Sequence, residues 1–212
     1  GRWLVYAVQD GGTDWRTLKV ISVDTGAITQ DEIRWVKFSS LAWKADGSGF
    51  YYSRFPEPEA GATFRSVNLN QAVYFHALGT PQSADVKIYA TPDKPRQSHS
   101  AQVTDDGHDL MITTAAGTDD RYELTVGKIG KGPVKLRPLV AGLDYNWELA
   151  GSVGSRFFFL TNKDAPRGRL VTLDVENPER KAVEIVGQMG DTLVGASLVG
   201  ERMILAYLGD AK

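Results

Sequence analysis

Residues Tyr74 to Ile112 read YFHALGTPQSADVKIYATPDKPRQSHSAQVTDDGHDLMI. Apolar and polar side chains alternate from Val73 to Leu78, the period of a strand with one face turned inward. Gly79-Thr80-Pro81-Gln82-Ser83 turns the chain, because glycine reaches positive φ and proline lacks a backbone donor. A second strand is predicted over Val86 to Tyr89, followed by a proline-rich link from Thr91 to Pro95. Another strand runs from Ser100 to Thr104, and Asp105-Asp106-Gly107 turns it into the apolar run Leu110 to Thr113. The stretch is the last half of one small sheet joined to the first half of the next.

The same grammar extends in both directions. Strands are predicted at 3–8, 17–23 and 33–38, then at 40–43 and 50–55, with Asp24-Thr25-Gly26 and Asp46-Gly47 as turns. The interval Pro56 to Asn70, PEPEAGATFRSVNLN, has no period and reads as a mobile surface excursion. Beyond the opening stretch come strands at 121–126 and 134–139, then 145–149, 156–161, 169–174 and 182–186, and finally 192–198 and 203–208. The first inter-strand turn of each unit recurs at Gly1, Gly47, Gly107, Gly154 and Gly200, at spacings of 46, 60, 47 and 46 residues. The long interval is the one that carries the excursion. Four antiparallel strands per roughly 40–50 residues is the mark of a propeller blade. The expected fold is therefore all-β, a β-propeller with units at 1–38, 39–90, 98–140, 144–187 and an incomplete 190–212. Four blades and half of a fifth would leave sheet edges and an apolar face uncovered, so part of a larger propeller is expected; a closed ring of four or five blades is the alternative.

Composition excludes several classes. Lys and Arg total 24 against 26 Asp and Glu, a net charge of −2, which gives no electrostatic reason for nucleic acid or an anionic membrane as partner. No apolar run approaches the roughly 18 residues of a membrane span; Phe157 to Leu160, for one, has the length of a strand. Cysteine is absent, which removes disulfides and thiolate chemistry and suits a reducing compartment. A cytoplasmic location is expected on that ground, with the periplasm open, and the start at Gly1-Arg2-Trp3 without methionine implies that the natural N-terminus lies upstream.

Hydrolytic chemistry needs a nucleophile, a histidine base and an orienting carboxylate. The histidines are His76, His99 and His108, and no GxSxG elbow occurs; Gly151-Ser152-Val153-Gly154-Ser155 comes nearest but lies in a turn between strands. No residue is assigned a catalytic role. His76 reads as structural and His108 as a solvated turn residue, while His99, at the entry to a first strand, could line a central channel. The acid pairs Asp105-Asp106 and Asp119-Asp120 sit in turns and suit Asx-turns better than a metal. Gly11-Gly12 lacks the following helix of a phosphate loop. No metal and no cofactor is expected.

The motifs LGTPQSADVKIYA (78–90), VTDDG (103–107), TNKDAPRGRL (161–170) and YLGDAK (207–212), with RWLVYAVQDGGTDW (2–15) before them, resemble the prolyl oligopeptidase family over essentially the whole chain. In that family a seven-bladed propeller caps an α/β-hydrolase domain that cleaves short peptides after proline. The resemblance maps onto part of the propeller only. It implies as partners a hydrolase domain of the same polypeptide and short proline-containing peptides, with the triad beyond Lys212. It also implies substrate contacts from Phe38 of VKFSS, from Ser98 and from the Thr118 turn. Thr118 stands where relatives often carry cysteine, and Ala115 where an arginine is common. Asp14, with Trp15 beside it, is implied to meet an arginine of the hydrolase domain. A WD40- or kelch-like interaction scaffold is the alternative, although their Trp-Asp, Gly-His and paired-glycine marks are missing. A sugar-acting propeller enzyme is a third.

Overall fold

The computed structural model describes the chain except Asp10, Ala60, Ala62–Ser66 and Asp210–Lys212. The middle of the predicted excursion and the end of YLGDAK therefore lie outside the described residues. Among those described, five antiparallel sheets follow one another and no α-helix occurs. The first has three strands, β1 (Trp3–Gln9), β2 (Arg16–Ser22) and β3 (Ile28–Val36). The second orders β4 (Leu41–Trp43), β5 (Gly49–Arg54), β6 (Ala72–Ala77) and β7 (Val86–Ala90) as they occur in the chain. The third comprises β8 (Gln97–Val103), β9 (Asp109–Ala116), β10 (Tyr122–Lys128) and β11 (Arg137–Val140). The fourth comprises β12 (Trp147–Val153), β13 (Arg156–Thr161), β14 (Arg169–Asp174) and β15 (Val183–Val186). The hairpin of β16 (Thr192–Val199) and β17 (Arg202–Leu208) is the fifth.

The sheets stack face to face, and alternation along the inner strands shows how. On β5, Phe50 and Tyr52 bury against Leu18, Val20 and Ile33 of the first sheet, while Tyr51 between them buries against Ala101, Leu110 and Ile112 of the third. On β9 the pattern repeats: Leu110 and Ile112 face back, and Met111 faces forward into a cluster with Trp147, Phe157 and Phe159. On β13, Phe157 and Phe159 face back and Leu160 faces forward onto Leu193 of the hairpin. Each inner strand thus serves two cores, which is why such strands read as continuous apolar runs rather than as alternation. Burial of one such aromatic contributes about 1.5–3 kcal/mol, and these seams hold several each.

Boundaries differ from expectation in two instructive places. β8 begins at Gln97, not Ser100, because Gln97 and His99 are polar yet buried. The strand expected to end at Phe38 stops at Val36, and Phe38 falls in the crossover to β4 at φ +51°. Gly107 ends the β8–β9 turn at φ +73°, where a Cβ would come within 2.3 Å of the Ala45 Cβ in the neighbouring blade's turn. Here glycine is required by the backbone and by its neighbour together.

Candidate functional site

The crossover Lys37–Ser40 links the first sheet to the second, and two of the four described non-glycine residues with positive φ fall at the end of β3 and within the crossover, Trp35 at 63° and Phe38 at 51°. Such a conformation costs an L-residue about 1–2 kcal/mol, so neighbours must enforce it. Buried Gln71 does so: its Nε2 donates to the carbonyls of Lys37 (2.9 Å) and Phe38 (3.3 Å), and its Oε1 accepts the His99 amide (2.6 Å). Ser39 Oγ accepts the Ser53 amide at 2.8 Å. Ser40 Oγ donates to the Ala101 carbonyl at 2.7 Å and accepts the Ala101 amide at 3.0 Å. Ser53 Oγ donates to the His99 carbonyl at 2.6 Å. Backbone is thereby stitched across two sheets, and Phe38 is left 64% exposed.

Phe38 stands at the rim of an open cavity of about 380 Å³ between the third and fourth sheets. Ser98, Ser100, Gln102, Trp147 and Glu148 also line it. Two of the expected substrate residues, Phe38 and Ser98, are thus brought together by a crossover and the start of β8. Thr118 is not among the lining residues. It is exposed in the β9–β10 turn, beside Asp119, whose carboxylate receives the Arg121 guanidinium and amide. Ala115, one strand residue before that turn, does line the cavity.

His99 borders the same cavity between Ser98 and Ser100, yet it is only 1% exposed and packs as a core residue of β8. Its Nδ1 lies 2.9 Å from Thr114 Oγ1 and its Nε2 3.1 Å from Thr91 Oγ1, with Tyr89 edge-on at 5.1 Å. Desolvation lowers its pKa from 6.5 to about 4, which keeps the ring neutral.

Asp14 is exposed in the loop before β2. Trp15 is half-buried, edge-on to Trp35 at 5.6 Å and to Phe55 at 6.2 Å, and its amide donates to Thr13 Oγ1 at 2.8 Å. The Lys37 ammonium sits 3.8 Å above the Trp15 ring, and Lys37 is 9% exposed.

Sequence reasoning missed the most polar part of the core. His76 on β6 is fully buried, with Nδ1 2.7 Å from Asp85 Oδ1 and Nε2 2.8 Å from Asp31 Oδ1 on β3. Tyr52 donates its hydroxyl to Asp85 Oδ2 at 2.6 Å, and the Gly79 amide donates to Asp31 Oδ1 at 2.6 Å. Burial opposes the charged imidazole, but hydrogen bonds and charge from Asp85 and Asp31 outweigh it and raise the His76 pKa above 6.5. Gln82 completes the contact: its Oε1 accepts the Arg34 amide and its Nε2 donates to the Arg34 carbonyl, both at 3.0 Å. The LGTPQSAD stretch is therefore a clasp between the first and second sheets. The signal available in the sequence was a lone histidine inside a strand near a Pro-Gln-Ser-Ala-Asp turn; its acidic partner Asp31 lies 45 residues away.

The turn acids behave as Asx-turns. Asp46 Oδ1 accepts the Ser48 amide at 2.9 Å, and Asp106 Oδ1 accepts the His108 amide at 3.0 Å and the Thr104 hydroxyl at 2.6 Å. Among the described residues no three His, Asp or Glu side chains gather in a metal-binding arrangement.

The family model for the prolyl oligopeptidase N-terminal beta-propeller domain matches residues 1–212. A prolyl endopeptidase from Elizabethkingia meningoseptica is 33% identical over 212 residues, covering 100% of this chain and 30% of the relative. Prolyl oligopeptidase A from Amanita bisporigera is 31% identical over 203 residues, 84% of this chain and 26% of the relative. A solved structure from a study of two prolyl endopeptidases superposes with a TM-score of 0.91 at 38% identity, over 100% of this chain and 30% of that one. Oligopeptidase B from Leishmania major, 16% identical with a TM-score of 0.78, shares the fold over 97% of this chain and 28% of its own. The chain spans about 30% of the length of the first of these relatives. This match disfavours the WD40-like scaffold. Sheets that succeed one another, each inner strand buried on both faces, and matches that run the whole length place the chain in the prolyl oligopeptidase family, as its N-terminal β-propeller part.

Proposed function

We propose that the protein is the propeller portion of a serine endopeptidase that cleaves short peptides after proline, with the catalytic groups supplied by an α/β-hydrolase domain of the same polypeptide. Its own contribution is binding and exclusion. The observation that carries this reading is Phe38: an aromatic residue 64% exposed, on a backbone held at φ +51° by Gln71. A bare aromatic residue on an enforced backbone is a costly surface unless something apolar lies on it. A substrate side chain on the acyl side of the scissile bond is that partner. Ser98 adds a polar contact within the same cavity. Thr118, exposed in the β9–β10 turn away from the cavity lining, meets only longer substrates. Asp14, exposed and beside anchored Trp15, pairs with an arginine across the domain seam as a bidentate ion pair. The stacked sheets admit flexible chains and turn folded ones away.

The test uses the complete polypeptide. It is expected to hydrolyse a proline-containing peptide amide, and Phe38→Ala is expected to raise KM about tenfold with kcat little changed, the loss of one apolar contact. A well-folded complete polypeptide that cleaves no peptide after proline would overturn the assignment. Cleavage with unchanged KM in the variant would remove Phe38 from the pocket.

A further inference from the structure

Lys37 has no part in that reading, yet its setting is unusual for a lysine. It is 9% exposed, and among the described residues no carboxylate lies within ion-pair distance of it. A lysine so little exposed, with no acid beside its ammonium, gives up hydration that what it touches must replace. It touches the face of Trp15, 3.8 Å from the ring centroid, and more loosely Asn68 Oδ1 at 3.4 Å. A cation desolvated on an indole face is among the stronger contacts open to lysine. The indole is itself fixed by the edges of Trp35 and Phe55. The other end of Lys37 is fixed as well, its carbonyl accepting from Gln71 Nε2, one residue before Phe38. One side chain therefore spans two segments that the chain separates: the crossover bearing Phe38 and the loop bearing Asp14.

We propose that Lys37 is a positioning residue that welds these two segments into one rigid piece, so that seating of a substrate residue on Phe38 and engagement of Asp14 at the domain seam are a single event. The roles of the two ends rest on the proposed function; the weld rests on the contacts alone. If Lys37 acts through the Asp14 loop, its removal affects more than binding. Lys37→Met keeps the stem and loses the cation, while Lys37→Arg keeps a cation over the ring.

In the complete polypeptide, Lys37→Met is expected to raise KM and lower kcat, each about fivefold, and Lys37→Arg to restore both to within about twofold. Asp14→Asn is expected to cost about tenfold in kcat/KM alone but less than about threefold in the Lys37→Met background, the signature of groups acting through one another. Multiplicative losses, or an Arg variant as impaired as Met, would overturn the proposal. A structural readout covers poor folding of Lys37→Met and separates this proposal from the peptidase assignment. Trp15→Leu removes the other half of the contact, and hydrogen exchange follows the Ser53 amide, which is bonded to Ser39 of the crossover. Faster exchange at Ser53 in Trp15→Leu supports the weld even in a polypeptide that cleaves nothing. Changes confined to the Thr13–Trp15 loop would refute it even in an active one.

Discussion

Replacing His76 with leucine removes the imidazole that stands between two buried carboxylates. The imidazole makes contacts of 2.7 Å to Asp85 and 2.8 Å to Asp31, and all three side chains are at most 1% exposed. Breaking a buried ion pair by deleting one partner costs about 3–5 kcal/mol, because the survivors are left charged in a dry place. Here Asp85 keeps the Tyr52 hydroxyl and Asp31 keeps the Gly79 amide, so the lower half of that range is expected. For a chain of 212 residues this corresponds to a fall in Tm of about 6–16 °C. The pH dependence gives a sharper check. The folded pKa of His76 is raised above 6.5, so the imidazole contributes stability that is complete below pH 6.5 and is lost as pH rises through the folded value. Asp31 moves the other way: burial opposes ionisation, but hydrogen bonds involving Thr29, His76 and Gly79 lower its pKa below 3.8. Its contribution is present above that value and is lost on acidification. Urea unfolding followed by tryptophan emission from pH 5 to 9 should show the wild-type protein losing stability towards alkali, a slope absent from His76→Leu. Adding Asp31→Asn to that variant should regain part of the loss. A Tm within about 3 °C of wild type, with a parallel pH profile, would refute the charged reading of the clasp.

Other outcomes follow from the same geometry. His99, held neutral with a pKa near 4, should cost stability as pH falls from 6.5 towards 4, by about 3 kcal/mol across the window; its ring resonances, followed by NMR, should stay at the neutral position down to about pH 5. Gln71→Leu strands the buried His99 amide and the Lys37 carbonyl and should destabilise by about 3 kcal/mol in urea unfolding; it should also raise KM in the complete polypeptide, since Phe38 loses its restraint. Gly107→Ala places a Cβ 2.3 Å from that of Ala45 at φ +73°, and a loss of about 2 kcal/mol is expected by thermal unfolding.

The architecture was legible because its two signals are local. Strands buried on both faces, such as Phe157 to Leu160, read as short apolar runs, and glycine turns such as those at Gly107, Gly154 and Gly200 punctuate them at intervals of 47 and 46 residues. The site was legible only in part. Phe38 and Ser98 were named through the resemblance and do share a cavity, whereas Thr118 lies off it. That Phe38 would sit outside its strand at positive φ was invisible, since the restraint comes from Gln71, 33 residues away. The clasp of Asp31, His76 and Asp85 was illegible for the same reason: a histidine's partners depend on which sheets lie against each other, and periodicity within one strand carries no information on that. β8 was begun too late because a buried polar run, Gln97-Ser98-His99, looks like loop until its acceptors are known.

The joints between successive sheets are not alike. The first is fastened by directional groups: the Gln82 carboxamide gripping both backbone atoms of Arg34, and the imidazole caught between two acids. The joint between the fourth sheet and the hairpin has Leu160, Leu170 and Leu193 at its centre, and its directional bonds gather at one turn residue, Arg167: the Arg167 amide donates to Gln188 Oε1 at 2.7 Å and its guanidinium to the Gly190 carbonyl, both in exposed positions, while its carbonyl accepts the Leu193 amide at 2.8 Å. Greasy contacts tolerate sliding, and directional ones permit a single register. A tensile load applied across the assembly should therefore shear the later joint first and leave the first two sheets travelling as a unit, with Phe38 and Asp14 both riding on it.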